Sequence, residues 1–467
     1  MIWVRRVLKF LLLLVIVYAT ARFGVVYFGS QLQGERDPYI QSPTPTSVVM
    51  RWQTLENRMG VVRYGVDEDH LNLTVLEDEV GRVHSVKIDG LDPDTRYYYE
   101  VGDIGGYSRG GTSKDWFRTL PKPGTERPVR VWVIGDSGQP GQVADNVRDS
   151  MKRWVATNPR QGLPDLDVWL ALGDIAYTSG TDKQFQAALF DTYHDLLRNT
   201  AIWPVYGNHD ARRWTYFRLF TLPENGEAGG APSGTEHYYS FDFGDVHFIV
   251  LDSESSSVAR GSDMVEWLQR DLERNHGQWL VVAFHHPPYS KGSHDSDDYG
   301  DSGGRMVDVR KHILPMLEAA GADLVLSGHS HMYERSYLID CAYGNSDAFG
   351  PNRIVSDGVE HHNARYIKPL KNRTHSGTVY VVAGSSSKVD SAPINHPAMP
   401  VSMLEAGSLI IDIDGDKLTS RFLNDKGEVK DEFSITQQAG YDNGYGGCTP
   451  DAEPAAPAVK PVSDAAG

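Results

Sequence analysis

Five short apolar runs in this chain each end in a side chain able to bind a metal ion. They cover residues 131–136, ending in Asp136; 168–174, ending in Asp174; 202–209, ending in Asn208 and His209; 280–285, ending in His285; and 324–331, ending in His329 and His331. A continuous apolar run bounded by turn residues reads as a strand buried on both faces. In open α/β sheets, ligands bind beyond the carboxyl ends of such strands. Asp, Asn, His and, three residues past Asp174, Tyr177 gathered on that rim imply a metal site with enough ligands for two ions. Gly135, Gly173, Gly207 and Gly328 stand just ahead of the ligands, where a strand has to turn sharply. Carboxylate, phenolate, amide and imidazole donors suit Fe, Mn or Zn rather than Ca.

Helical patterns over 143–156, 184–197, 264–275 and 307–320 alternate with these runs, and the third opens with Asp263 and Glu266 in capping-box spacing. Later strands at 379–382 and 409–413 have no long helices between them. The reading for 126–435 is an α/β sandwich of three or four layers with mixed sheets. Ahead of it, residues 36–120 alternate apolar and polar in short segments separated by Gly, Pro and Asp turns, the pattern of a β-sandwich. The segment Gly90-Leu91-Asp92-Pro93-Asp94-Thr95, followed by Tyr97 and Tyr99, resembles a fibronectin type III domain. A Pro-rich connector, 121–124, marks the boundary. Residues 438–467 turn to Gly, Asn, Ala, Pro and Asp and read as a disordered or loosely docked tail.

At 467 residues the chain has length for two or so domains and a large core. Its net charge of -17 argues against nucleic acid as a partner and against long-range attraction of anions, so a phosphate-like substrate would have to be captured locally. Arg5, Arg6 and Lys9 precede an apolar stretch and then Ala19-Thr20-Ala21, so residues 1–30 read as a cleaved signal peptide or, through 10–28, as a signal anchor. Both readings export the remainder, which would be secreted or periplasmic, free or membrane-anchored. Cys341 and Cys448 either form one bridge or stay as two thiols.

Taken in order, Asp136-Ser137-Gly138, Gly173-Asp174-Ile175-Ala176-Tyr177, Gly207-Asn208-His209-Asp210, Phe284-His285 and Gly328-His329-Ser330-His331 resemble the five blocks of calcineurin-like metallophosphoesterases. Tyr177 and the β-sandwich ahead resemble the large, two-domain purple acid phosphatases. That resemblance implies ferric iron on Asp136, Asp174, Tyr177 and His331. It also implies a second ion, Fe, Zn or Mn, on Asp174, Asn208, His285 and His329, with Asp174 bridging. The implied activity is acid phosphatase: a small phosphomonoester attacked by a metal-bound hydroxide. His209 is the candidate general acid or hydrogen-bond partner of the phosphate, His294 matches a position that faces the substrate, and Asp210 is read as orienting His209. A phosphodiesterase or nucleotidase on the same scaffold is the alternative, and a surface binding protein with a vestigial site is another. The physiological ester, the second metal and the oligomeric state stay open.

Overall fold

Every residue of the strands Val129–Ile134, Val168–Ala171 and Trp279–Ala283 is buried, as nearly continuous apolar composition implies for strands covered on both faces; the exception, Arg130, pairs with Asp412. The computed structural model describes residues 2–448 except 30, 33, 213, 276, 359–361, 371–372 and 446, so most of the tail expected over 438–467 lies outside the described residues. Two mixed sheets carry the site. One has seven strands, running Asn363–Pro369, Val429–Gln438, Lys417–Asn424, Gly407–Asp414, Val129–Ile134, Val168–Ala171 and Ile202–Pro204. The other has eight and includes the parallel neighbours Val246–Val250, Trp279–Ala283, Leu324–Ser327 and Thr378–Ala383. The eight-stranded sheet has a parallel centre with antiparallel flanks, whereas the seven-stranded one pairs antiparallel from Val429–Gln438 through Val129–Ile134 and parallel at both ends.

Side chains alternate between two cores. Val281, Ala283, Leu324 and Leu326 pack between the sheets with Val131, Val133, Leu409 and Ile411. Leu280, Val282 and Val325 face the other way, onto Trp267, Leu268, Leu314 and Leu317 of the covering helices. The helix Gln142–Thr157 covers the seven-stranded sheet through Met151 and Val155. The result is four layers, helix on sheet on sheet on helix.

Two helical patterns come out broken. The pattern over 307–320 forms Arg305–His312 and Leu314–Ala319; Pro315 offers no N–H and crowds the carbonyl four residues back. The pattern over 184–197 forms Asp182–Phe185, a wider turn Gln186–Asp191, and His194–Leu197. A capping box does occur, but between Thr181 and Gln184. At Asp263–Arg274 the cap position is Ser262, and its hydroxyl donates to Ser257 O instead.

In the N-terminal unit, the long strands Ser47–Gly65 and Leu73–Asp89 pair along most of their length, with the register broken between Gln53 and Arg58. The first half of Ser47–Gly65 pairs with Arg36–Gln41 and the second with Arg96–Asp103. The sheet folds over a single core of Val48, Met50, Trp52, Val62, Tyr97, Tyr99 and Phe117. It docks on residues 182–221: Arg36 pairs with Asp182 at 3.2 Å, Tyr39 Oη donates to Leu219 O at 2.7 Å, and Tyr99 Oη to Arg198 O at 2.9 Å. That segment carries His209, so the sandwich braces one wall of the site.

Cys341 and Cys448 are bonded, with Cα atoms 5.5 Å apart, which ties residue 448 to the turn after the strand Tyr333–Ile339. Residues Ile2–Gly29 form one helix whose apolar side chains from Phe10 to Tyr18 are exposed. Among the described residues no helix is long and apolar enough to cross a membrane; the side chains of 21–29, part of the anchor expectation, lie outside the described residues.

Candidate metal centre

All seven side chains expected to bind metal converge just past the carboxyl ends of parallel strands in both sheets. Asp136, Asp174 and His329 turn their strands sharply through left-handed backbone, at φ 53°, 53° and 67°. Such a conformation costs a non-glycine residue on the order of 1 kcal/mol. The glycines ahead of the ligands answer a need for space. A Cβ on Gly207 would lie 2.2 Å from Asp174 N and 2.5 Å from its Oδ1, and one on Gly328 would lie 2.6 Å from Asp136 Oδ2. The carboxylates are set by neighbouring backbone: His329 N–H donates to Asp136 Oδ2 and His209 N–H to Asp174 Oδ1, both at 2.7 Å.

The side chains form two clusters. In the first, Tyr177 Oη lies 3.0 Å from Asp136 Oδ1 and 3.1 Å from His331 Nε2, with 3.5 Å between the latter two. In the second, His285 Nε2 lies 3.1 Å from Asn208 Oδ1, 3.2 Å from His329 Nδ1 and 3.6 Å from Asp174 Oδ2.

The outer atoms of the rings decide what the inner atoms can do. His285 Nδ1 donates to Leu172 O at 2.8 Å, so Nε2 presents a lone pair. His331 Nδ1 donates to Asp390, so its Nε2 also presents a lone pair. His329 Nε2 is bonded to Ser302 Oγ at 2.7 Å, leaving Nδ1 to face His285. Lone pairs from two imidazoles, an amide oxygen and a carboxylate thus converge on one spot, an arrangement that a cation there would satisfy. The donor set fits two metal ions.

Electrostatics agree with that reading. Burial, followed by the charges of Asp136 and Asp174, pushes the Tyr177 phenol well above its ordinary value, so without a cation it stays protonated. Burial works against ionising Asp136, yet the hydrogen bond and charge of His331, with the charge of His285, hold its carboxyl below the usual range. Burial and the neighbouring His286 and His285 hold His329 well below the usual imidazole value, in the neutral form a metal requires.

His209 and His294 flank the clusters. His209 Nδ1 donates to Thr178 O at 2.7 Å, its Nε2 lies 3.8 Å from Asp174 Oδ2, and its ring meets Tyr177 edge-on at 4.7 Å. His294 stacks on His329 at 3.8 Å and donates from Nδ1 to Asp301 at 2.8 Å. Asp210 does not grip the His209 ring as expected. It accepts from the backbone N–H groups of Ile175, Ala176 and Gly207, at 3.0, 3.2 and 3.3 Å, and so clasps the Asp174 loop to the Asn208 loop. His286 is buried behind His329 and bonded to Ser253 Oγ at 2.9 Å.

Several contributors carried no local signal. Asp390 and Lys388 reach the site from a sixth strand end, after Thr378–Ala383, which lacks a His or Asp at its tip. Ser302 and Asp301 come from an acidic loop, with Asp295, Asp297 and Asp298, whose sequence fits a solvated loop or a substrate-gating rim.

Residues 129–333 match the family model described as calcineurin-like phosphoesterase, and residues 38–119 the one described as purple acid phosphatase, N-terminal domain. Among curated proteins, purple acid phosphatase 15 of Arabidopsis thaliana is 30% identical over 332 residues, covering 63% of this chain and 58% of that protein. Purple acid phosphatase 21 of the same plant is 31% identical over 293 residues, covering 60% and 58%. The chain therefore spans less than two thirds of the length of either relative. A solved purple acid phosphatase from yellow lupin (Lupinus luteus) seeds shares the fold, with a TM-score of 0.66 at 18% identity over 87% of this chain and 75% of that one. The chain thus carries a purple acid phosphatase N-terminal domain followed by a calcineurin-like phosphoesterase domain, as the two models describe them.

Proposed function

We propose that the protein is an exported acid phosphatase that hydrolyses small phosphomonoesters. In this reading Asp136, Asp174, Tyr177 and His331 hold ferric iron, while Asp174, Asn208, His285 and His329 hold a second ion, Fe, Zn or Mn. The observation that carries it is the pair of buried acceptor clusters with Asp174 beside both: its Oδ2 is 3.6 Å from His285 Nε2, and its charge reaches Tyr177. Metal ions bound there supply Lewis acidity, which acidifies water and offsets charge on the phosphoryl oxygens.

The chain's own groups then have defined tasks. Asp210 and the backbone donors to Asp136 and Asp174 keep the carboxylates aimed. Water adds to phosphorus in line, the bond to the leaving oxygen breaks, and the departing alkoxide takes a proton. His209 is the donor in this reading: its Nδ1–H is committed to Thr178 O, so the transferable proton sits on Nε2. His294, fixed by Asp301, leaves its own Nε2 to hydrogen-bond the substrate. Export rests on the basic and then apolar N-terminus and on the Cys341–Cys448 bond, since disulfides persist in oxidising compartments. The division into a sandwich over 36–120 and a catalytic unit over 126–435 belongs to the same proposal.

The test pairs kinetics with metal analysis. A monoester and a diester of one leaving group are compared from acid to neutral pH, and the monoester is expected to be the better substrate. Preference for the diester would replace the proposal with a phosphodiesterase. Asp174→Ala should lose both ions and all turnover; retained activity would refute the bridging role.

A further inference from the structure

We propose that Lys388, whose Nζ stands 4.1 Å from the centre of the Tyr177 ring, binds a non-bridging oxygen of the substrate and biases the site toward doubly charged phosphomonoesters over singly charged diesters. The inference rests on the phosphatase reading above and adds the group that selects substrate charge.

Lys388 is held in place by its neighbours. Ser386 N–H donates to Gly135 O and Gly135 N–H to Ser386 Oγ, both at 3.1 Å. Ser387 Oγ donates to Asp136 O and accepts from Gln139 N–H at 3.3 Å. On the other side, Asp390 is fixed to His331 Nδ1. The backbone of Lys388 is thus anchored between the Asp136 loop and His331, and its half-buried side chain lies across Tyr177. The hydroxyl end of that ring points into the Asp136–His331 cluster, so the ammonium stands within one ring-length of it.

The surrounding charges isolate this residue. With a net charge of -17 the chain repels anions at long range, so capture falls to local cations. Lys291 is engaged by Asp295 at 2.6 Å and Asp297 at 2.9 Å, and Arg305 by Glu254 at 2.9 Å. Among the described residues no carboxylate lies within ion-pair distance of Lys388, and the nearby Asp390 is taken by His331. A lysine is a compact point charge, suited to a phosphoryl oxygen. Its attraction scales with the charge of the anion, so a dianion gains more than a monoanion.

The experiment compares Lys388→Met and Lys388→Arg with the metal-loaded wild type. Assays run at about pH 7, where a monoester with a second ionisation near pH 6 is mostly dianionic. Lys388→Met should raise KM for the monoester roughly 5- to 20-fold, with kcat changed less than about threefold, and should raise KM for the diester less than about threefold. Lys388→Arg should keep most of the wild-type KM, and the salt dependence of kcat/KM for the monoester should flatten in the Met variant. Unchanged KM, or equal rises for both esters, would overturn the proposal. Calorimetric titration with inorganic phosphate reads the same contact without turnover. If the wild type hydrolyses neither ester, the phosphatase reading fails by itself, and equal phosphate affinity in wild type and Lys388→Met then removes this one too.

Discussion

Asp390→Asn should loosen one ion of the pair and leave the other in place. Asp390 accepts from His331 Nδ1 and thereby turns Nε2 toward Asp136 and Tyr177. The hydrogen bond from His331, ahead of the opposing effect of partial burial, holds the Asp390 carboxyl below its usual range, so Asp390 is the ionised acceptor of that bond. Removing a carboxylate behind a ligating histidine typically costs 10- to 100-fold in metal affinity or activity, on the order of a supporting shell rather than a ligand. The Asp390 side chain is 50% exposed, so solvent screens its charge and the lower end applies. Asparagine still offers an oxygen at the same place. The expected loss is about tenfold, or about 1.4 kcal/mol, confined to the ion near Tyr177. The assay is a graded challenge with a chelator, following metal content and visible absorbance together. Equal loss of both ions, or wild-type retention of both, would refute the reasoning.

Tyr177→Phe should keep bound metal but lose the visible band expected of a phenolate on ferric iron; an unchanged spectrum would exclude that ligand. His209→Asn should lower kcat roughly 10²- to 10⁴-fold with metal content intact, and a rate within threefold of wild type would remove it as the proton donor. His247 lies buried between Asp242 and Asp271, and although burial opposes its charge, hydrogen bonds to both carboxylates raise its pKa to about 9. Because that exceeds the unfolded value near 6.5, the group contributes stability in full below about pH 6.5 and loses it as pH rises through about 9, at most about 3 kcal/mol. The gap in melting temperature between wild type and His247→Gln should therefore narrow from about pH 6 to about pH 9.5, and a constant gap would contradict the pairing.

The ligands were legible in the sequence because each is local to its strand: an apolar run, a glycine, then the donor, as at Gly173-Asp174 or Gly207-Asn208. The mixed sheets and the N-terminal β-unit followed from periodicity for the same reason. What escaped depends on contacts between distant segments. Asp390 acts only because the strand Thr378–Ala383 lies beside Leu324–Ser327. Asp210 sits next to His209 in sequence, yet its carboxyl turns to backbone donors over 30 residues upstream. The break in 307–320 was visible as Pro315, whereas the three-part path of 182–197 lies where Arg36 and Tyr39 dock, contacts that no local pattern encodes.

Asp136, Asp174, Tyr177 and Asn208 belong to the seven-stranded sheet, and His285, His329 and His331 to the eight-stranded one. Each cluster therefore straddles the seam between the halves, so an occupant would act as a rivet. Ligand occupancy and the packing of the seam are thus linked: an ion bound across it would add to the apolar core that already joins the sheets, and looser packing would weaken its hold.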